Sequence, residues 1–112
     1  MEIAITKQGS GPNCPSGSMV KIHYTGKLTN GKQFDSSVGG PPFECQIGVG
    51  QVIAGWDEGV CKMNKGSEAT FTIPAEMGYG SQGAPPDIPP NATLIFTVQL
   101  LDFQAKQKPS QV

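Results

Sequence analysis

Histidine and tryptophan each occur once in this chain of 112 residues, and cysteine occurs three times. Each scarcity removes a class of chemistry. His23 cannot build a metal site with Cys14, Cys45 and Cys61 at any familiar ligand spacing, so neither a metal nor a cofactor is expected. Three is an odd number of cysteines and none form a C-x-x-C pair, so they read as reduced thiols. No Ser-His-Asp or Cys-His set is credible, because His23 and Cys45 both sit in the middle of strand-like segments. The net charge of -1 gives no reason to expect nucleic acid or an anionic membrane as partner. No apolar run reaches membrane-spanning length, and Met1 to Gly11 lacks the basic and apolar regions of a signal peptide. A soluble, cytoplasmic protein is the expectation.

What is present suits one small folded domain over residues 1–104, followed by a polar tail over 105–112. The 37% hydrophobic content is enough for one modest core. Glu2 to Gln8 reads as an edge strand and Gly9 to Gly17 as a loop. Val20, Ile22 and Tyr24 alternate with Lys21, His23 and Thr25, the period of a half-buried strand. Thr29-Asn30-Gly31-Lys32 is a turn, because Asn-Gly accepts positive φ. Gln33 to Ser36 and Phe43 to Ile47 read as strands. So do Ser67 to Ile73 and Thr93 to Phe103, each with an apolar face. Gly78 to Pro90 is a long loop. One segment has helical spacing: Ile53, Trp56, Val60 and Met63 recur at three, four and three, and Asn64-Lys65-Gly66 is expected to end it. The fold class is α+β: a curved antiparallel β-sheet wrapped around one short α-helix.

Few groups suggest bond-making chemistry. Gly48-Val49-Gly50 begins like a dinucleotide fingerprint, but Ile53 stands where the third glycine belongs. Asp57 and Glu58 read as the polar face of the helix. Asn91-Ala92-Thr93 reads as a turn entering a strand. The remaining signal is a set of aromatics at inward positions and element ends: Tyr24, Phe34, Phe43, Trp56, Tyr79 and Phe96. By pattern alone they are equally the core of a small protein or the walls of a pocket.

Taken in order, several segments resemble the FKBP-type peptidyl-prolyl cis/trans isomerases, the immunophilins that bind tacrolimus and rapamycin. They are Ile22-His23-Tyr24-Thr25-Gly26, Gly31-Lys32-Gln33-Phe34-Asp35-Ser36-Ser37 and Pro42-Phe43. Val52 to Gly59, Gly78-Tyr79-Gly80 and Ile88 to Leu94 follow. The resemblance implies an apolar pocket between sheet and helix, lined by Tyr24, Phe34, Asp35, Phe43, Val52, Ile53, Trp56, Tyr79, Ile88 and Phe96. Trp56 would be its floor. Tyr24, Phe34, Asp35, Trp56, Tyr79 and Phe96 would serve catalysis, and the Ile53 N–H and Tyr79 hydroxyl would hold ligand carbonyls. The implied partners are proline-containing polypeptides, macrolides of the tacrolimus and rapamycin type, and a protein engaged only through such a drug. A binding module with incidental isomerase activity is the alternative.

The chain departs from the family pattern in places. Ala84 offers less surface than the bulky residue common after Gly83. Asp87 puts a charge where an apolar contact is usual. Cys45 replaces a frequent phenylalanine. Pro85-Pro86 beside a proline-binding pocket suggests weak self-association of a protein otherwise read as a monomer, with the loop as pseudo-substrate.

Overall fold

The computed structural model describes residues 1–104; the tail expected over 105–112 lies outside the described residues. The strands are β1 (Glu2–Lys7), β2 (Ser10–Asn13), β3 (Met19–Leu28), β4 (Gln33–Ser36) and β5 (Phe43–Gln46). After the helix α1 (Ala54–Gly59) come β6 (Asn64–Lys65), β7 (Glu68–Ile73) and β8 (Leu94–Gln104). The main sheet has six strands in the order β1-β7-β8-β3-β4, with β5 also paired to β3. Every pairing is antiparallel. The expected α+β architecture is therefore present.

Strand periodicity follows burial. Ala69, Phe71 and Ile73 of β7, and Leu94, Phe96, Val98 and Leu100 of β8, all turn into the core. Val20, Ile22 and Leu28 of β3 do the same. A one-residue irregularity between Lys21 and Ile22 in the β3–β8 pairing resets the register beyond it.

A helix of six residues cannot stand alone in water and is held by its packing. Gly55 and Gly59, one turn apart, face β7 directly. A Cβ on Gly55 would lie 2.6 Å from Ile73 Cδ1, and one on Gly59 would lie 2.7 Å from the Phe71 ring. This close approach seats Trp56 against the sheet.

The helix is shorter than its apolar stripe implies. Ile53 precedes it in extended conformation, a 3-10 turn (Val60–Lys62) follows, and Met63 is extended again. Trp56, Val60 and Met63 are still buried, because the tighter turn keeps them on one side. Two expectations fail just beyond. Asn64-Lys65 is a strand rather than a helix terminator, and it pairs with Ser10–Asn13, which reads as loop in the sequence. The Asn64 side chain adds to the backbone pairing, as does the Cys14 N–H, which donates to the Met63 carbonyl at 2.8 Å. Asn64 Oδ1 accepts the Gly9 N–H at 3.0 Å and its Nδ2 donates to the Gly11 carbonyl at 3.2 Å.

Candidate functional site

Between α1 and the sheet lies a cavity of about 370 Å³. Its lining includes Tyr24 from β3, Phe34 and Asp35 from β4, Phe43 from β5 and Phe96 from β8. The chain leading into the helix supplies Gly50, Gln51, Val52 and Ile53, the helix supplies Trp56, and the long loop supplies Tyr79.

The aromatic set is arranged edge to face around Trp56. Its ring centroid lies 4.8 Å from that of Tyr24, 5.2 Å from Phe96 and 5.8 Å from Phe43. The planes cross at 72°, 84° and 76°, so positive ring edges meet negative faces. Phe34 stands perpendicular to Phe96 at 5.5 Å. These two rings come together over Gly26, where a Cβ would lie 2.7 Å from both. Trp56 is 5% exposed, and its indole N–H finds no oxygen or nitrogen acceptor among the described residues. Aromatic rings thus dominate the base of the site, with the Trp56 N–H the polar group among them.

The hydrogen-bonded polar side chains of the lining are Tyr24 and Asp35, together with Gln51. The Tyr24 hydroxyl donates to Asp35 Oδ2 at 2.8 Å, and the Ser36 N–H donates to Asp35 Oδ1 at 2.8 Å. Burial, then the hydrogen bond to Asp35 and its charge, pushes the Tyr24 hydroxyl up to about 12. Burial and the same carboxylate also raise Tyr79. Both hydroxyls stay protonated donors at neutral pH. Ile53 precedes the first helical turn; its carbonyl accepts the N–H groups of Trp56 and Asp57. Its own N–H has no acceptor among the described residues.

His23 belongs to the scaffold. Its Nδ1 lies 2.9 Å from Ser37 Oγ, which also accepts the Tyr24 N–H at 2.9 Å. That junction fixes the strand carrying Tyr24.

The structure brings all the sequence-derived site residues to the cavity except Ile88. Ile88 is 4% exposed and belongs to the core. Ala84 and Ile88 exchange backbone hydrogen bonds at 2.8 and 2.9 Å, which turns Ile88 inward and leaves Pro85, Pro86 and Asp87 exposed at the tip. Gly50 and Gln51 were not singled out by sequence reasoning. Nor was the role of Asp57, which does more than face solvent. Its carboxylate accepts the Gly48 N–H at 2.8 Å and the Gly50 N–H at 3.1 Å. The two glycines that begin like a nucleotide fingerprint thus turn their amides to a carboxylate of the same chain.

The profile of the FKBP-type peptidyl-prolyl cis-trans isomerases matches residues 11–101. The chain belongs to this family. It is 52% identical over 109 residues to a peptidyl-prolyl cis-trans isomerase of Schizosaccharomyces pombe, covering 96% of this chain and 97% of that protein. It is 56% identical over 95 residues to FK506-binding protein 1 of Saccharomyces cerevisiae, 83% of each. It is also 53% identical over 98 residues to FK506-binding protein 4 of Rhizopus delemar, of which it spans only 26%. Membership makes the chain a peptidyl-prolyl cis-trans isomerase, and it explains a site without a nucleophile: rotation about an X-Pro bond breaks no covalent bond. No helix among the described residues is long and apolar enough to cross a membrane.

Proposed function

We propose that the cavity over Trp56 is where the prolyl bond rotates. The observation that carries this reading is a cage of aromatic rings around Trp56 with the hydrogen-bonded Tyr24–Asp35 pair beside it. The barrier to rotation is about 18–20 kcal/mol and comes from lost amide resonance. The planar amide is the more polar state and the twisted one the less polar. A dry pocket penalises the planar state more and lowers the barrier. Each ~1.4 kcal/mol of such differential stabilisation is tenfold in rate.

Trp56, Phe34, Phe43 and Phe96 form the floor and walls that receive the proline ring, with Val52 at the rim. The Ile53 N–H and the Tyr79 hydroxyl hold carbonyl oxygens on either side of it. Tyr24 and Asp35 orient each other and set the field at the mouth. Asp35 is not the proton donor for the reaction, since no proton need move.

The same pocket is proposed to bind macrolides of the tacrolimus and rapamycin type, a reading supported by the names of the similar FK506-binding proteins. A drug-dependent protein partner would then meet the rim, where Asp87 and the exposed Pro85-Pro86 stand. A cytoplasmic setting and assistance to protein folding accompany this reading. The exposed proline pair also fits weak self-association, one copy's loop entering another's pocket. Sedimentation at high concentration tests it: a monomer unchanged by Pro86→Gly would remove it.

Titration with the peptide Ala-Leu-Pro-Phe tests the site. Resonance shifts at Trp56, Ile53 and Tyr79 are expected. Shifts confined to another face of the sheet would remove the assignment.

A further inference from the structure

One edge of β3 is shared between two strands, and Tyr24 falls in the break between them. β5 covers Met19 to Ile22, pairing Met19 with Gln46 and Ile22 with Phe43. β4 covers Thr25 to Lys27, pairing Thr25 with Ser36 and Lys27 with Gln33. His23 and Tyr24 lie between and have no strand partner on this side. On the other side the ladder is regular, with Tyr24 opposite Val98. The chain from Ser37 to Pro42 loops out of the break, and Asp35 and Phe43, before and after the loop, both reach the cavity.

Such a break deprives backbone groups of their strand partners, and half-buried groups of this kind are almost always paired by some other means. Two serines supply the pairing here. Ser37 Oγ accepts the Tyr24 N–H at 2.9 Å, in the place where a neighbouring strand would offer a carbonyl. The Tyr24 carbonyl accepts the Ser37 N–H at 2.9 Å and the Ser36 hydroxyl at 3.2 Å. Ser37 Oγ also lies 2.9 Å from His23 Nδ1, and the Ser37 carbonyl accepts the Gly40 N–H at 3.2 Å. The same residue therefore closes the base of the loop. Tyr24 is held at its N–H, at its carbonyl and, through Asp35, at its hydroxyl. Its ring stands 4.8 Å from that of Trp56. Neither serine lines the cavity.

We propose that Ser37 is a positioning residue for prolyl isomerisation: its hydroxyl stands in for the missing strand and fixes Tyr24 against Trp56 and Asp35. This rests on the proposed assignment of the cavity as the prolyl site. A site group displaced by a fraction of an ångström loses rate steeply. Loss of this one hydroxyl should therefore cost turnover more than stability. Ser67 supplies the control. Its hydroxyl donates to the Asn64 carbonyl at 2.7 Å and accepts the Asn64 N–H at 3.2 Å, the same chemistry in a buried residue outside the cavity lining.

The test is NMR exchange on Ala-Leu-Pro-Phe with the wild-type chain and with Ser37→Ala, Ser37→Thr and Ser67→Ala. Ser37→Ala should lower kcat/KM about five- to tenfold, the scale of one hydrogen bond. It should also shift the Trp56 indole resonance and speed hydrogen exchange at the Tyr24 amide. Ser37→Thr keeps the hydroxyl and should restore all three. Ser67→Ala should lower thermal stability while turnover and the Trp56 resonance stay as in the wild type. If Ser37→Ala fails to fold, exchange in the wild type decides together with the threonine variant. The Tyr24 amide should then be as protected as its neighbours in β3, and exchange as fast as at exposed Gly39 would overturn the inference. So would native turnover and a native Trp56 resonance in Ser37→Ala, a threonine variant as slow as the alanine one, or an equal loss of turnover in Ser67→Ala. In each of these cases turnover by the wild type leaves the site assignment standing. No turnover by the wild type would overturn the assignment and the inference with it.

Discussion

Asp57 holds Gly48: its carboxylate accepts the Gly48 N–H at 2.8 Å from one turn inside the helix that carries Trp56. The second oxygen takes Gly50 at 3.1 Å. Both glycines have positive φ, 83° and 81°, which a side chain would oppose. Gln51 adds a third anchor by accepting the Gln46 N–H at 3.0 Å. The lip that presents Gln51, Val52 and Ile53 is thus tied to the floor. Asp57→Ala should cost about 1–3 kcal/mol in unfolding free energy and release the lip. Amide hydrogen exchange at Gly48 and Gly50 should accelerate, with KM for a prolyl peptide rising more than kcat falls. Unchanged exchange at both glycines would contradict this role.

Gly26→Ala probes the contact between Phe34 and Phe96. The added methyl would lie 2.7 Å from each ring, so both must move. Overpacking of this kind costs about 1–3 kcal/mol. Because both rings line the pocket, isomerase activity should fall more than thermal stability. A variant with native turnover would show that these two walls need not be held in place.

The Tyr24–Asp35 pair makes a prediction at high pH. The folded pKa of Tyr24 is about 12 against an ordinary 10.0, raised first by burial and then by Asp35. The folded state therefore holds this proton more tightly than the unfolded chain. The stability it contributes is fully present below pH about 10 and is lost as pH climbs toward about 12. The difference in unfolding free energy between wild type and Tyr24→Phe should be flat from neutral pH to the unfolded value, then shrink. A difference that grows with pH would contradict the assigned cause.

The thiols should differ in reactivity. Cys14 and Cys45 are 2% and 6% exposed, whereas Cys61 is only partly buried. Burial raises all three, Cys45 to about 11. Since the thiolate is the reactive form, none should react quickly at neutral pH. An aromatic disulfide reagent should modify Cys61 first, and Cys14 and Cys45 only on unfolding. Rapid modification of Cys45 in the folded protein would mean that the wall beside Phe43 opens.

The contrast between what the chain discloses by itself and what it withholds follows contact range. Strands β3, β7 and β8 are evident because alternation is local: every second residue is apolar where one face is buried. The pairing of β2 with β6 is not, since it joins segments about fifty positions apart through backbone bonds and the Asn64 side chain. Asp57 looks like a solvent-facing helix residue because helical spacing registers only its own element. Its partners come from the preceding loop. The family resemblance puts Ile88 in the pocket lining, but the reciprocal bonds between Ala84 and Ile88 turn it toward the core. The aromatic set is spread over six segments whose convergence no spacing rule contains. Ordered similarity to a family placed them in one pocket, and the geometry brings them together around Trp56.

The most direct test of the account is NMR exchange on Ala-Leu-Pro-Phe with the full chain, repeated with one equivalent of rapamycin. Cis/trans exchange should accelerate, the drug should abolish the acceleration, and the Trp56 indole resonance should shift as the drug binds. Exchange at the uncatalysed rate while rapamycin still shifts Trp56 would contradict catalysis and leave a binding module. Catalysis that persists at full drug occupancy would place the reaction outside this pocket.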